Sequence, residues 1–359
     1  MTVRSSLPTR ERLRSLVGAM AGRPVVVLAD LVADRFISGT PKRISREAPV
    51  LILAYEGDSL TPGGGANAVA NVAALGGRPL PLGIVGDDET GRLLVDELAG
   101  RGVDVSGIRR RAGYRTPTKV RILAGARHAL KQQVVRYDVE DHLRLGDDDR
   151  AAFAERLAAW RRELSAPPRA AILSDYGYGC VEPALAVALR SGFGDGCTVV
   201  CDSRYRLADF AACDACDGAT PNEEETEALF GRPLDDADGG LDAAGQSLRR
   251  RLATRFLLVT RGSRGMSLFD NAGAVHVPVH GTDQVADVTG AGDTVIATFT
   301  LALAAGATPL EATLLADYAG GVVVMKMGTA TLSAGELAAA IEADPAPLAG
   351  LRSSAAEGA

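Results

Sequence analysis

Residues 287–306 read DVTGAGDTVIATFTLALAAG. Two acidic residues flank a Gly-Ala-Gly turn, and an apolar, helix-forming run follows from Thr294. Acidic neighbours do nothing for the packing of a glycine turn. The pattern asks instead for a backbone that something approaches and a carboxylate that something uses. A helix N-terminus presents unpaired N–H groups and the positive end of its dipole, and glycine lets an anion come close. Gly290, Ala291 and Gly292 therefore read as an anion hole, with Asp293 in the first helical turn. A carboxylate there can accept a hydroxyl proton while the N–H groups hold developing negative charge. Aspartate also caps helices, and on these residues alone the two readings stand level.

Upstream, VVVLA (25–29), LPLGIV (80–85), AAILS (170–174), TVVCD (198–202) and FLLVT (256–260) read as buried strands. Helix-period segments at 65–76, 88–101, 147–164, 182–191 and 239–254 separate them. Apolar strands alternating with helices predict an α/β fold, a doubly wound and mostly parallel sheet sandwiched by helices. Two stretches break the alternation, 43–58 and 118–141. The second reads as a hairpin, 118–124 against 132–138. Together they predict a small antiparallel β lid over the site. The expected organisation is a leading segment 1–23 with a short helix over Thr9–Ala21, a domain at 24–343, and a frayed tail at 344–359.

Composition narrows the function. Of 359 residues, 47% are hydrophobic and 23% charged, enough for a sizeable core, and the net charge of −6 argues against nucleic-acid or anionic-membrane partners. No apolar run reaches the roughly 20 residues that span a bilayer. The N-terminus mixes Arg and Glu and does not read as a signal peptide. Five sparse cysteines fit a reducing cytoplasm. Cys197, Cys201, Cys213 and Cys216 imitate zinc spacing. On a strand, however, the first two would lie about 13 Å apart, too far to share one tetrahedral metal.

A second glycine motif, PGGGANAVANVAALGG (62–77), opens a helix with three glycines and places Asn67 and Asn71 one turn apart. Amides on an Ala/Val helix suggest recognition of hydroxyls; a plain glycine loop with surface asparagines is the alternative. The chain lacks G-x-x-x-x-G-K-[ST] and a strand-linked G-x-G-x-x-G, which excludes a P-loop and argues against a dinucleotide site.

Together these stretches resemble the PfkB, or ribokinase-like, carbohydrate kinases. RISREAPV (43–50), TKVRIL (118–123), VRYDVED (135–141), LSDYGYG (173–179), TPNEEE (220–225), LLVTRGSRGMSL (257–268) and GVVVMKMGTATLS (321–333) are similar to the heptose-7-phosphate kinase branch, in order over residues 24–340. The resemblance implies ATP and Mg²⁺ as cofactors, with K⁺ in some relatives, and a sugar phosphate as small-molecule partner. It implies Asp293 as general base and Gly290–Gly292 at the transferred phosphoryl group. Asn222 and Glu225 would organise Mg²⁺ through water. Thr260, Gly262, Lys326, Gly328 and Thr329 would line the nucleotide site. Asp34, Gly64, Gly65, Asn67 and Asp138 would hold the sugar, and Asp287 with Thr289 a monovalent cation. Asp175, at a strand end, reads either as a ligand or as a local cap.

A phosphorylated acceptor needs cations, and the lid offers Arg43, Arg46, Lys119, Arg121 and Arg136; Arg43 and Lys119 are the first choices. Arg46 replaces an expected Pro, Asp317 an expected Asn near the adenine pocket, and the hairpin tip AGARHALKQQ is unlike the branch. No H-x-G-H nucleotidyltransferase signature follows, so a second enzyme is expected to complete any nucleotide-sugar pathway. The expected activity is phosphorylation of the anomeric hydroxyl of a heptose 7-phosphate. The alternatives are another sugar acceptor or a non-catalytic sugar binder. Exposed lid edges could pair two copies into a homodimer.

Overall fold

The computed structural model describes residues 7–126, 131–194, 196–231, 233, 240–281 and 285–355. Helix α1 (Arg10–Ala19) starts at Thr9, whose side chain accepts the Arg12 N–H. Strand β1 (Pro24–Ala29) enters the core, and β2 (Leu31–Ile44) and β3 (Leu51–Gly64) form a long hairpin. Then come α2 (Gly65–Ala74), β4 (Arg78–Gly86), α3 (Glu89–Gly100), β5 (Ile108–Arg111), β6 (Thr118–Ala124) and β7 (Gln132–Val139). The chain continues through α4 (Asp147–Glu163), β8 (Ala170–Asp175), α5 (Pro183–Phe193), β9 (Thr198–Ser203), α6 (Leu207–Ala212), β10 (Gly218–Ala219), α7 (Glu223–Phe230) and α8 (Gly240–Arg251). It closes with β11 (Phe256–Thr260), β12 (Met266–Asp270), β13 (Gly273–Val277), α9 (Ala291–Ala304), α10 (Pro309–Val323), α11 (Ala334–Ala343), α12 (Ala346–Ala349) and β14 (Arg352–Ala355).

Ten strands make one sheet in the order β14-β13-β12-β11-β10-β9-β8-β1-β4-β5. From β5 to β11 neighbours run parallel; β12, β13 and β14 extend the edge antiparallel. The central strands are apolar throughout because helices cover both faces. One face packs α1, α2, α9, α10 and α11. The other packs α4, α5, α6 and α8 around Trp160 and Phe210. The winding direction reverses between β1 and β8, where an open α/β sheet leaves a crevice at its carboxyl ends.

The lid is a second sheet, ordered β3-β2-β6-β7. The hairpin of β6 and β7 forms as expected, but β2 and β6 run parallel, so the lid is not wholly antiparallel. Strand β2 has no counterpart in the periodicity reading. Its first residues, Leu31–Asp34, are buried and its last, Pro41–Ile44, exposed, so no single hydrophobic period runs through it. Pro41, which has no N–H to give a ladder, sits at one of its two register shifts. The tip expected at 124–133 lies partly outside the described residues, at 127–130. The tail differs from expectation: from Asp344 it folds into α12 and then β14, which pairs with β13 from Gly273↔Ala355 to His276↔Arg352.

Helix α9 carries Asp293 and is buried almost all round. Thr294 and Thr298 return their hydroxyl protons to the Gly290 and Thr294 carbonyls, at 3.2 and 2.8 Å, which lets two polar side chains sit in the core. Phe299 on this helix meets Phe256 of β11 with ring centroids 5.3 Å apart. Phe299→Ala is expected to cost about 3–5 kcal/mol by transfer and cavity, read as a lower urea midpoint at an unchanged slope.

Candidate active site

The crevice between β1 and β8 is built on two buried carboxylates. Asp30, at the end of β1, accepts the N–H groups of Tyr176, Tyr178 and Cys180, each at 2.9 Å. Burial outweighs these bonds and pushes its pKa up to about 6. Asp175, at the end of β8, accepts from Ser203 Oγ (2.6 Å), Gly177 N (3.1 Å) and the Arg206 guanidinium (2.9 and 3.2 Å). Its side chain is fully used, so Asp175 is a local anchor, the second of the two readings. The two carboxylates fix the loop that carries Tyr176.

Gly290 begins α9 with φ +76°, and a Cβ there would lie 2.5 Å from Asn67 Nδ2. Ala291 gives its N–H to the Val288 carbonyl at 3.2 Å. Among the described residues no acceptor meets the N–H of Gly292 or Asp293, and space beside Gly292 is open. These two are the groups left for an anion. Asp293 itself is 2% exposed. Tyr176 donates its hydroxyl to Oδ1 at 2.7 Å and Asn67 donates Nδ2 to Oδ2 at 3.1 Å. Burial lifts the Asp293 pKa to about 7, against the pull of these donors and of Lys119.

Asn67 thus faces Asp293. Its Oδ1 accepts Asn71 Nδ2 at 3.1 Å, and Asn71 Oδ1 accepts Leu332 N at 3.3 Å. Both amides are buried, and the pair braces Asp293 from within. The glycines before them serve close approach. A Cβ at Gly63 would strike Asp34 Oδ2 at 2.3 Å, one at Gly64 (φ +50°) would sit 3.2 Å from Tyr176 Cε2, and one at Gly65 would sit 2.8 Å from the Asp30 carbonyl.

The lid face over this crevice carries Asp34, Phe36, Thr61, Lys119 and Arg121, alternate residues of neighbouring strands. Arg121 is paired with Asp34 and lies 5.4 Å over the Phe36 ring. Arg136 is paired with Asp138 at 2.9 Å, and Lys131 with Glu56. Lys119 Nζ sits 5.0 Å over the Tyr176 ring and, among the described residues, has no carboxylate within ion-pair distance. Beneath the lid, Phe36, Arg121, Lys131, Asp287, Met327 and Thr329 border a cavity of about 370 Å³. Arg43 does not join them. It lies exposed nine residues along β2 from Asp34, about 30 Å at strand rise. The lid touches the opposite wall where Thr61 and Thr329 hydroxyls meet at 2.7 Å.

On the other side, Asn222 caps α7, and Asn222 and Glu225 bond each other's backbone N–H at 2.8 and 2.9 Å. Thr260 lies beside Asn222 at the end of β11, and Gly262 follows with open space around it. The side chain of Asp202, at the end of β9, makes no hydrogen bond among the described residues. Burial and the charges of Glu225, Asp293 and Asp175 push its pKa well up. Among the described residues no group of three or more acidic, His or Cys side chains is placed to hold a metal ion directly; a divalent cation that keeps its waters needs fewer protein oxygens. Lys326 is not directed there: its Nζ donates to the Thr331 carbonyl at 2.8 Å and pairs with Glu336 at 2.6 Å. Asp287 accepts the N–H groups of Thr289 (2.9 Å) and Gly328 (3.0 Å), tying the anion loop to residues 326–329. Asp317 accepts the His280 N–H at 3.0 Å.

Sequence reasoning passed over Tyr176 and Asp202. Tyr176 lay inside the quoted LSDYGYG stretch, but nothing local says that it reaches a residue 117 positions away. Asp202 ends a strand read as apolar, and a carboxylate at the carboxyl end of a parallel strand was the available signal.

A core of parallel strands thus carries an open helix N-terminus with a buried carboxylate beside it. A family model described as pfkB family carbohydrate kinase matches residues 25–166 and 170–334. The chain belongs to that family and is a carbohydrate kinase. It is 37% identical over 340 residues to the bifunctional protein HldE of Mesorhizobium japonicum and 40% identical over 330 residues to that of Methylococcus capsulatus. These alignments cover 94% and 90% of this chain but only 66% and 65% of the relatives. Among solved structures, phosphofructokinase-2 from Escherichia coli in complex with substrates and products superposes with a TM-score of 0.71 at 20% identity, over 89% of this chain and 99% of that one. Arabidopsis thaliana ribokinase complexed with ribose and ATP gives 0.68 at 22%, over 90% and 99%. The fold is ribokinase-like.

The Asp34–Arg121 pair makes a testable statement about the lid. Asp34→Ala leaves a buried guanidinium unpaired and is expected to cost about 3–5 kcal/mol, whereas Asp34→Leu with Arg121→Met is expected to recover most of it. Chemical denaturation of the three variants checks both.

Proposed function

We propose that the chain transfers the γ-phosphoryl group of ATP to the anomeric C1 hydroxyl of a heptose 7-phosphate, giving a heptose 1,7-bisphosphate. The observation that carries this reading is Asp293, buried with two donors on its carboxylate and beside the open N–H groups of Gly292 and its own backbone. The heptose choice rests on the branch-like motifs and on the two relatives named HldE. Asp293 takes the proton of the acceptor hydroxyl, and the helix N-terminus holds charge on the transferring phosphoryl group. Mg²⁺, when bound, neutralises the nucleotide phosphates; Asn222, Glu225 and Asp202 would hold it through water. Thr260 and Gly262 border the nucleotide, while Gly328 and Asp287 shape the loop where a K⁺ would lie.

Lys119 is the cation best suited to the acceptor's phosphate, because Arg121 and Arg136 are already neutralised by Asp34 and Asp138. A homodimer through the lid draws support from apolar side chains left exposed there, Ile44, Leu51, Tyr55, Val135 and Tyr137. No helix among the described residues is long and apolar enough to cross a membrane, and the five cysteines are free thiols, which suits a cytoplasmic enzyme.

The test is ATP consumption with D-glycero-D-manno-heptose 7-phosphate, sedoheptulose 7-phosphate, ribose, fructose and fructose 6-phosphate, with phosphorus NMR of the product. Selective turnover of the aldoheptose phosphate with a new anomeric phosphate signal is the expected result. Turnover of another acceptor discards the heptose assignment. Asp293→Ala is expected to lower kcat about 10²–10⁴-fold with the fold intact. Lys119→Ala is expected to raise KM for the phosphorylated acceptor more than for ATP, and Arg43→Ala to change neither.

A further inference from the structure

The DYGYG loop (175–179) is held more firmly than its length requires. Asp30 takes two of its backbone N–H groups, and that of Cys180 just beyond it, and Asp175 takes a third. The Tyr178 carbonyl accepts Leu143 N at 2.7 Å, and the Gly177 carbonyl meets His142 Nδ1 at 3.1 Å. What this anchored loop presents to the crevice is Tyr176. The ring lies against Gly64 on one side and under Lys119 on another, and its hydroxyl ends on Asp293. A hydroxyl held so short and so firmly on a carboxylate constrains it far better than a mobile side chain or water could.

We propose, resting on the assignment of Asp293 as base, that Tyr176 is a positioning residue for phosphoryl transfer: its hydroxyl fixes Oδ1 of Asp293 while Asn67 fixes Oδ2, aiming the carboxylate at the acceptor. In the transfer, the acceptor O–H proton passes to Asp293. The acceptor oxygen forms the new bond to phosphorus. The bridging P–O bond breaks, and its electron pair leaves on the nucleoside diphosphate. Tyr176 keeps its own proton throughout. Burial and the facing charge of Asp293 hold its phenol well above the ordinary range, so it acts only as a donor. The other charged groups facing the base are Lys119, which favours its ionised form, and Asp34 and Asp202, which oppose it.

Tyr176→Phe removes the hydroxyl and keeps the ring beneath Lys119. A donor to the charged form is lost, so the Asp293 pKa must rise above its value near 7. A hydrogen bond to a charged group is worth roughly one to two pH units, so the acid limb of kcat/KM should move up by that much. The variant should then be about tenfold or more slower on the acid side and approach wild-type rates on the alkaline side. Carbonyl-carbon NMR of aspartate-labelled enzyme without substrate, with Asp293→Asn for assignment, should show the same upward shift. Fluorotyrosine at position 176, a stronger donor with the same ring contacts, should move the limb down. A rate loss equal at every pH, or an Asp293 titration unmoved in Y176F, overturns the proposal. A moved titration with an unmoved rate limb overturns it through the base assignment beneath it. Absence of turnover by the wild-type chain with every acceptor would instead fail the proposed function.

Discussion

Everything in the crevice depends on one electrostatic constraint: a carboxylate must stay usable while buried at a helix N-terminus. Burial alone would hold Asp293 neutral, and a neutral acid accepts no proton. Tyr176, Asn67 and Lys119 pull in the other direction, and the balance lands near neutral pH. Each of these partners comes from a different element: the loop after β8, helix α2 and lid strand β6. The surroundings of this carboxylate are therefore complete only when the sheet, its covering helices and the lid are all assembled.

That requirement explains where the remaining polar groups lie. Asp30 and Asp175 are spent on backbone and Arg206 and are not free for ligands. Asn71 braces Asn67 and reaches on to Leu332. A buried network satisfied in this way holds one geometry, because each alternative leaves a polar group unpaired. Asp202 is the exception: among the described residues its side chain has no such partner.

Much of the fold was legible because burial and periodicity coincide. Strands β1, β4, β8, β9 and β11 and helices α2 to α5 fall within about two residues of the sequence reading. The reading lost β2, whose two halves face different surroundings, and the tail, whose short strand gains its meaning only beside β13. In the site, the helix start at Gly290 and the place of Asp293 in its first turn were legible because that geometry is local. Asn67 and Asn71 were not, since an amide on an apolar helix looks the same whether it reads a ligand or braces a carboxylate 226 residues away. Arg43 and Arg121 differ likewise only in their distance along lid strands from Asp34.

The closing strand β14 bears on how the molecule behaves in a crowded solution. It occupies the outer side of β13, at the edge of the sheet opposite β5. It is only four residues long, and its Ser354 hydroxyl is anchored to Asp242 on α8. An unguarded β13 would offer its free N–H and C=O groups to any passing extended chain. A proteolytic nick near Gly350 would free that strand and leave the crevice between β1 and β8 in place, so resistance to self-association would rest on the edge of the sheet and the chemistry on its interior strands.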